Sequence, residues 1–108
     1  MRIKLLNTEF TKTNTQGYTR HFMQVEKTPG YAIYKVTYIT PQGSYEYYEG
    51  FLLRTVKAHF IDPSYDMTEL YPGNEAFGVW AWTFWSLDQA RNTLIEKLNQ
   101  HNTHGENS

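Results

Sequence analysis

The chain has 108 residues, which suits one domain around a single core rather than two independently packed ones. Ten Lys and Arg stand against eleven Asp and Glu, a balance that excludes both the strongly basic profile of a general nucleic-acid binder and an acidic tail. Cysteine is absent, which excludes a disulfide framework, a thiolate metal site and a thiol nucleophile; with no leader-like start and no apolar run of membrane length, a cytoplasmic protein without membrane association is expected.

In chain order, the first apolar segment, around Ile3, Leu5, Leu6 and Phe10, is a candidate to fold across a sheet face. Residues 18 to 28 and 31 to 40 are rich in β-branched and aromatic residues and read as strands. Thr28-Pro29-Gly30 lies between them, with Pro and Gly suited to the centre of a type II turn. Thr40-Pro41-Gln42-Gly43 carries Pro at the second and Gly at the fourth position of a type I turn, so the run from Ser44 returns antiparallel and the strands meander. That run is long, from Ser44 to Ile61, and Gly50 interrupts it as a bulge or bend would; one bent strand is expected, with a helix over 51 to 60 as the competing reading. Asp62-Pro63 has the form of an N-cap followed by Pro at the first helical position, opening a short helix or turn through Leu70 that Tyr71-Pro72-Gly73-Asn74 ends.

All three tryptophans fall in Trp80-Ala81-Trp82-Thr83-Phe84-Trp85, which reads as a strand. Alternation puts Trp80, Trp82 and Phe84 on one side and the smaller Val79, Ala81 and Thr83 on the other, where a helix has room to approach. Burying three such rings is worth at most roughly 10 to 15 kcal/mol, comparable to a whole domain's stability, so a cover is expected over them. Ser86 followed by Gln89 forms a capping-box pattern with Asp88 in the first turn, and Leu87, Ala90, Leu94, Ile95 and Leu98 recur at helical spacing, opposite Arg91, Asn92, Glu96 and Lys97. The helix is expected over 86 to 100, closing a single domain of residues 1 to 100; residues 101 to 108 are polar and small and read as a flexible tail. The fold class that follows is α+β: an antiparallel meander sheet of about four strands with the C-terminal amphipathic helix packed on one face.

Charge is unevenly distributed. Residues 1 to 35 carry Arg2, Lys4, Lys12, Arg20, Lys27 and Lys35 against Glu9 and Glu26, a balance of +4, whereas residues 36 to 76 stand at −4. Both signs decorating solvent is the simpler explanation, and a dipolar surface for self-pairing the sharper one.

Three kinds of site are worth weighing. Strand 31 to 40 offers Tyr34, Val36 and Tyr38 on one side and Tyr31, Ile33 and Ile39 on the other, with Tyr45, Tyr47 and Tyr48 in the next strand, so neither side is plainly wet and one helix cannot cover both. The second face is then covered by the N-terminal segment or by a partner. Tyr34, Tyr38, Tyr47, Tyr48, Trp80, Trp82 and Phe84 are the candidate binding residues, because aromatics dominate interface anchors. The expected function is a small non-enzymatic binding module, acting by protein association that includes self-association as a homodimer. The alternative is single-stranded nucleic-acid binding, with those rings as a stacking platform and Arg20, Lys27 and Lys35 tracking phosphates. A small enzyme or metal-binding protein is the last alternative. His59, Asp62, Asp66 and Glu69 are metal-compatible in type, yet Asp62 reads better as a cap and the others as a solvated loop, so no metal site is assigned. His101 and His104 share an H-x-x-H spacing within the expected tail. Neither a nucleophile elbow, nor a phosphate loop, nor a dinucleotide fingerprint is present, and no cofactor is expected. His21 beside Glu46 or Glu49 is the one acid–base pairing the strands suggest, and a sheet histidine held by a hydrogen bond is the plainer reading.

Overall fold

A computed structural model of the chain describes residues 1–58 and 62–106, with side chains described as far as residue 100. Among the described residues, eight strands form two sheets, and one long helix stands outside them. The larger is antiparallel, with β2 (Glu9–Thr13), β3 (Thr19–Lys27), β4 (Tyr31–Thr40), β5 (Gly43–Leu52) and β8 (Ala81–Phe84) in the order β2-β3-β4-β5-β8. The smaller is mixed: β1 (Ile3–Lys4) runs parallel to β7 (Met67–Glu69), which pairs antiparallel with β6 (Thr55–Lys57). The helix α1 (Leu87–Glu106) packs on one face of the larger sheet. The α+β class and the antiparallel meander are as expected. The larger sheet has five strands because Glu9–Thr13, expected as part of a cover, pairs along β3 with Phe10 opposite Phe22.

Two turns illustrate how local chemistry sets the meander. Residues 40 and 43 close the β4–β5 hairpin, with Gly43 at φ 133° and the Thr40 hydroxyl donating to the Gly43 carbonyl at 2.8 Å. The Thr28–Gly30 connection is not a type II turn, since Gly30 does not take a positive φ. Instead the Thr28 hydroxyl accepts the amide N–H groups of Gly30 at 3.2 Å and Tyr31 at 3.1 Å, and that side-chain turn replaces the glycine conformation.

The run from Ser44 is not one bent strand, nor does a helix form over its described part. β5 ends at Leu52 and the chain changes sheets to β6; residues 59 to 61, including His59, lie outside the described residues. Gly50 is no bulge either, because register runs unbroken through Ile33, Gly50 and Trp82. The irregularity falls in β3, between Gln24 and Glu26. What Gly50 supplies is space: a Cβ there would stand 2.8 Å from the Leu94 Cδ1 and 3.1 Å from the Phe84 ring, so the helix approaches β5 because this position has no side chain. Asp62 opens a turn rather than a helix, its carboxylate accepting the Ser64 N–H at 3.0 Å, and Met67–Glu69 is strand β7.

Ser86 caps α1 as the pattern predicts, its hydroxyl accepting the Gln89 N–H at 3.1 Å. Ala90 and Leu94 are fully buried and Leu87 and Leu98 partly so, while Ile95 is 43% exposed and stands off the seam. The helix runs to Glu106, six residues past the boundary that the apolar spacing sets, into the segment expected as a tail. No described helix is long and apolar enough to cross a membrane.

The tryptophan strand meets α1 with the side opposite to the one expected. Trp82 and Phe84 pack with Tyr31, Ile33, Ala90 and Leu94 under the helix, whereas Ala81 belongs to the core on the other face with Phe22, Tyr34 and Phe51. Room for the helix comes from Gly50 on the neighbouring strand, so the small residues of β8 are not needed for it. Trp80 precedes β8 and turns to the other core, 6.2 Å edge-on from Phe51 and under the Arg54 guanidinium at 4.9 Å.

Candidate functional site: a polar-floored aromatic pocket on the helix-free face

Antiparallel register lines up the side chains of the helix-free face in rows across the strands. One row holds Lys12, Arg20, Tyr38 and Tyr45, the next Phe10, Phe22, Val36 and Tyr47, and the third Gln24, Tyr34, Glu49 and Thr83. Period-two alternation in five strands is what brings residues from positions 10 to 83 onto one surface. The second and third rows are roofed by the chain after β7. Tyr71 stands edge-on to Phe10 at 5.1 Å, Phe22 at 5.5 Å, Tyr34 at 4.9 Å and Phe51 at 5.0 Å, with Leu6, Leu53 and Phe77 beside it. The roof stops short of the first row. There a cavity of about 500 Å³ opens, walled by Tyr38, Tyr45, Tyr47, Phe77 and Trp85 and reaching down to Glu49 and Tyr71.

Its floor is polar. Glu49 is 6% exposed and accepts a hydrogen bond from the Tyr71 hydroxyl at 2.8 Å. Burial raises its carboxyl above the ordinary glutamate range, against the pull of that hydrogen bond and of Arg20 and Lys12. Burial also pushes the Tyr71 phenol far up, with the Glu49 carboxylate adding to the shift, so Tyr71 is a fixed donor. Tyr47 is raised as well, by burial and against the nearby Arg20. At the mouth, the Lys12 ammonium lies 5.5 Å from the Phe22 ring centre and 5.6 Å from that of Tyr71, and the Arg20 guanidinium 5.7 Å from Phe22. Among the described residues neither cation is in ion-pair contact with a carboxylate.

The residues expected from sequence divide between three environments. Tyr38 and Tyr47 line the cavity. Tyr34 is sealed in the core, donating to the Asn7 carbonyl at 2.6 Å and accepting from Gln24 at 3.0 Å, and Trp80 is partly buried at the edge of that core. Tyr48, Trp82 and Phe84 lie on the helix side, with the Lys97 ammonium 5.4 Å from the Trp82 ring centre. Of the three basic residues, Arg20 lines the cavity, Lys27 is paired with Glu69 at 2.7 Å, and Lys35 is paired with Glu46 at 2.8 Å on the opposite face. They do not form one patch.

His21 is paired with Glu9 at 2.6 Å, rather than with Glu46 or Glu49, on the helix side of the sheet beyond the helix. Asp66 accepts the Arg2 N–H at 2.7 Å, Glu69 is held by Lys27 and the Leu6 N–H, and Asp62 faces Lys4 at 3.6 Å. These acids serve separate contacts, and among the described residues no group of three His, Asp or Glu is placed to hold a metal.

The cavity adds residues outside the binding set expected from sequence: Lys12, Tyr71, Phe77 and Trp85, with Tyr45, read only as part of the aromatic face, and Glu49, read only as a partner for His21. Glu49 carried one usable signal, a carboxylate between Tyr47 and Phe51 on the apolar side of its strand. Tyr71 carried none, because a loop residue's depth depends on where the loop lands. No protein-family model matches the chain, and neither a curated protein nor a solved structure matches it.

Proposed function

We propose that the protein is a small non-enzymatic binding module that associates with another protein chain, a second copy included, through the helix-free face of its sheet. One observation carries this reading: the roof over that face leaves a cavity of about 500 Å³ walled by aromatic rings above a polar floor, a size and lining suited to receiving an aromatic side chain with polar neighbours. Tyr45 at 50% and Trp85 at 75% exposure flank the mouth, large rings whose burial against a partner recovers apolar area that the fold leaves wet. The anchors are then Tyr38, Tyr45, Tyr47 and Trp85, and the helix-side rings Tyr48, Trp82 and Phe84 belong to the core. The dispersal of Arg20, Lys27 and Lys35 over two faces favours a protein partner over a nucleic-acid strand. A cytoplasmic location belongs to the same proposal.

The test is a nitrogen-15 NMR titration with N-acetyl-tryptophanamide, a neutral stand-in for a partner's aromatic side chain. Expected shifts fall at Tyr38, Tyr45, Tyr47 and Thr83 and on the Trp85 indole N–H, and Tyr45→Ser abolishes them. Shifts confined to the helix side, or none at millimolar probe, defeat the reading. Light scattering across a dilution series separates a second copy from a foreign partner.

A further inference from the structure

The cavity mouth carries two cations. Lys12 and Arg20 face each other across β2 and β3, rest on the rings of Phe10, Phe22 and Tyr71, and have no carboxylate in ion-pair contact among the described residues. Glu49 is the one carboxylate lining the cavity among the described residues, and it is directed inward to the Tyr71 hydroxyl. Two mouth cations against one recessed acid leave the entrance positive, on a protein whose formal charge is −1. Lys12 and Arg20 adjoin Tyr38 and Tyr45 in a single register row, so an anion held by the cations and a ring stacked on the tyrosines are neighbours in the same ligand. Tyr38, Tyr45, Tyr47, Phe77 and Trp85 all line the cavity, with Tyr45 and Trp85 largely exposed, more aromatic surface than one ring covers, which suits a chain segment better than a free aromatic acid.

Resting on the reading of the helix-free face as the binding face, we propose that its occupant is an acidic–aromatic peptide segment of a partner protein: an aromatic side chain stacked on Tyr38 and Tyr45, flanked by carboxylates read by Lys12 and Arg20. Arg20 adds a planar donor fork and Lys12 a point charge, a pair that accepts a carboxylate without demanding a single geometry. A basic segment meets like charge at the entrance and is rejected.

The test compares acetyl-Glu-Trp-Glu-amide, acetyl-Gln-Trp-Gln-amide and acetyl-Lys-Trp-Lys-amide by NMR titration of the full chain at low salt. The acidic peptide is expected to bind about fivefold tighter than the glutamine peptide, with the lysine peptide weakest and the gap closing as salt is added. Lys12→Gln should remove most of the preference; Arg20→Gln, on the neighbouring strand, gives the same reading if Lys12→Gln disturbs β2. Equal affinity for the acidic and neutral peptides, with shifts at Tyr45 and Trp85, overturns the acidic partner and leaves the binding face standing. Silence from all three peptides and from N-acetyl-tryptophanamide removes the binding face itself. Tighter binding of the lysine peptide overturns the proposal in favour of Glu49 as the recognised charge. Equal binding of free 3-(indol-3-yl)propionate overturns the peptide source, and dimerisation that moves the same signals overturns the foreign one.

Discussion

Glu26 and Glu49 lie on opposite faces of the larger sheet and show two ways of covering it. On the helix side, Glu26 receives the Arg91 guanidinium at 2.7 and 3.0 Å and the Tyr31 hydroxyl, and those donors hold its carboxyl below the ordinary glutamate range. On the other side Glu49 lies deep under a loop with one short hydrogen bond from Tyr71, and burial raises it. The helix covers its half of one face by close approach at Gly50 and an ion pair, leaving Met23 and Ile39 beyond it exposed; the loop roof covers part of the other face and leaves a charged carboxylate disfavoured at the bottom of an open cavity. Sites tolerate such unfavourable groups where packing elsewhere is secure.

The largest expected effect breaks the helix side. Leu94→Ala removes a fully buried side chain from that core and should cost about 2 to 5 kcal/mol in chemical denaturation, while leaving any ligand affinity of the folded protein unchanged. On the loop side, Tyr71→Phe deletes the donor to Glu49 and should cost about 1 to 3 kcal/mol, because a buried acceptor is left without its partner.

The pH dependence of the two faces runs in opposite directions. A depressed folded value means that Glu26 contributes stability above the ordinary glutamate range and loses it as pH falls through that range toward the depressed value. A raised folded value means that Glu49 contributes stability below the ordinary range and loses it as pH rises through that range to the raised value. Melting curves of Glu49→Gln should therefore lack the decline with rising pH, whereas those of Glu26→Gln should lack the decline with falling pH. An unchanged profile for Glu49→Gln contradicts the buried-acid floor.

Smaller effects sharpen the contrast. Ser86→Ala should lower stability by about 1 kcal/mol through loss of the cap of α1. Tyr45→Ser, at an exposed ring, should change stability by less than about 0.5 kcal/mol and yet abolish the shifts with the neutral probe, the signature of a ring kept for contact rather than for folding.

Legibility in the sequence followed the range of the interaction. The β4–β5 hairpin was readable from Thr40-Pro41-Gln42-Gly43, and the start of α1 from Ser86 and Gln89, because those signals operate within four residues. Which side of the tryptophan strand meets the helix was not readable, since the decisive feature is the missing side chain of Gly50 on another strand. The type II turn at Gly30 failed locally, because the Thr28 hydroxyl offered the backbone a competing partner. Of the candidate site, Tyr38 and Tyr47 were legible as aromatic strand residues, but Lys12 follows a segment read as a cover rather than as a strand, and Tyr71 lies in a loop.

By itself the sequence determined the α+β class, the meander and the capped amphipathic helix, because periodicity, turn chemistry and capping are properties of neighbouring residues. Tertiary structure alone decided the partition of the aromatics between two cores and the open cavity at Tyr38 and Tyr45. Alternation sorts side chains into two sets, but the sheet register, the reach of the loop through Tyr71 and the fit of Leu94 against Gly50 choose which set is dry.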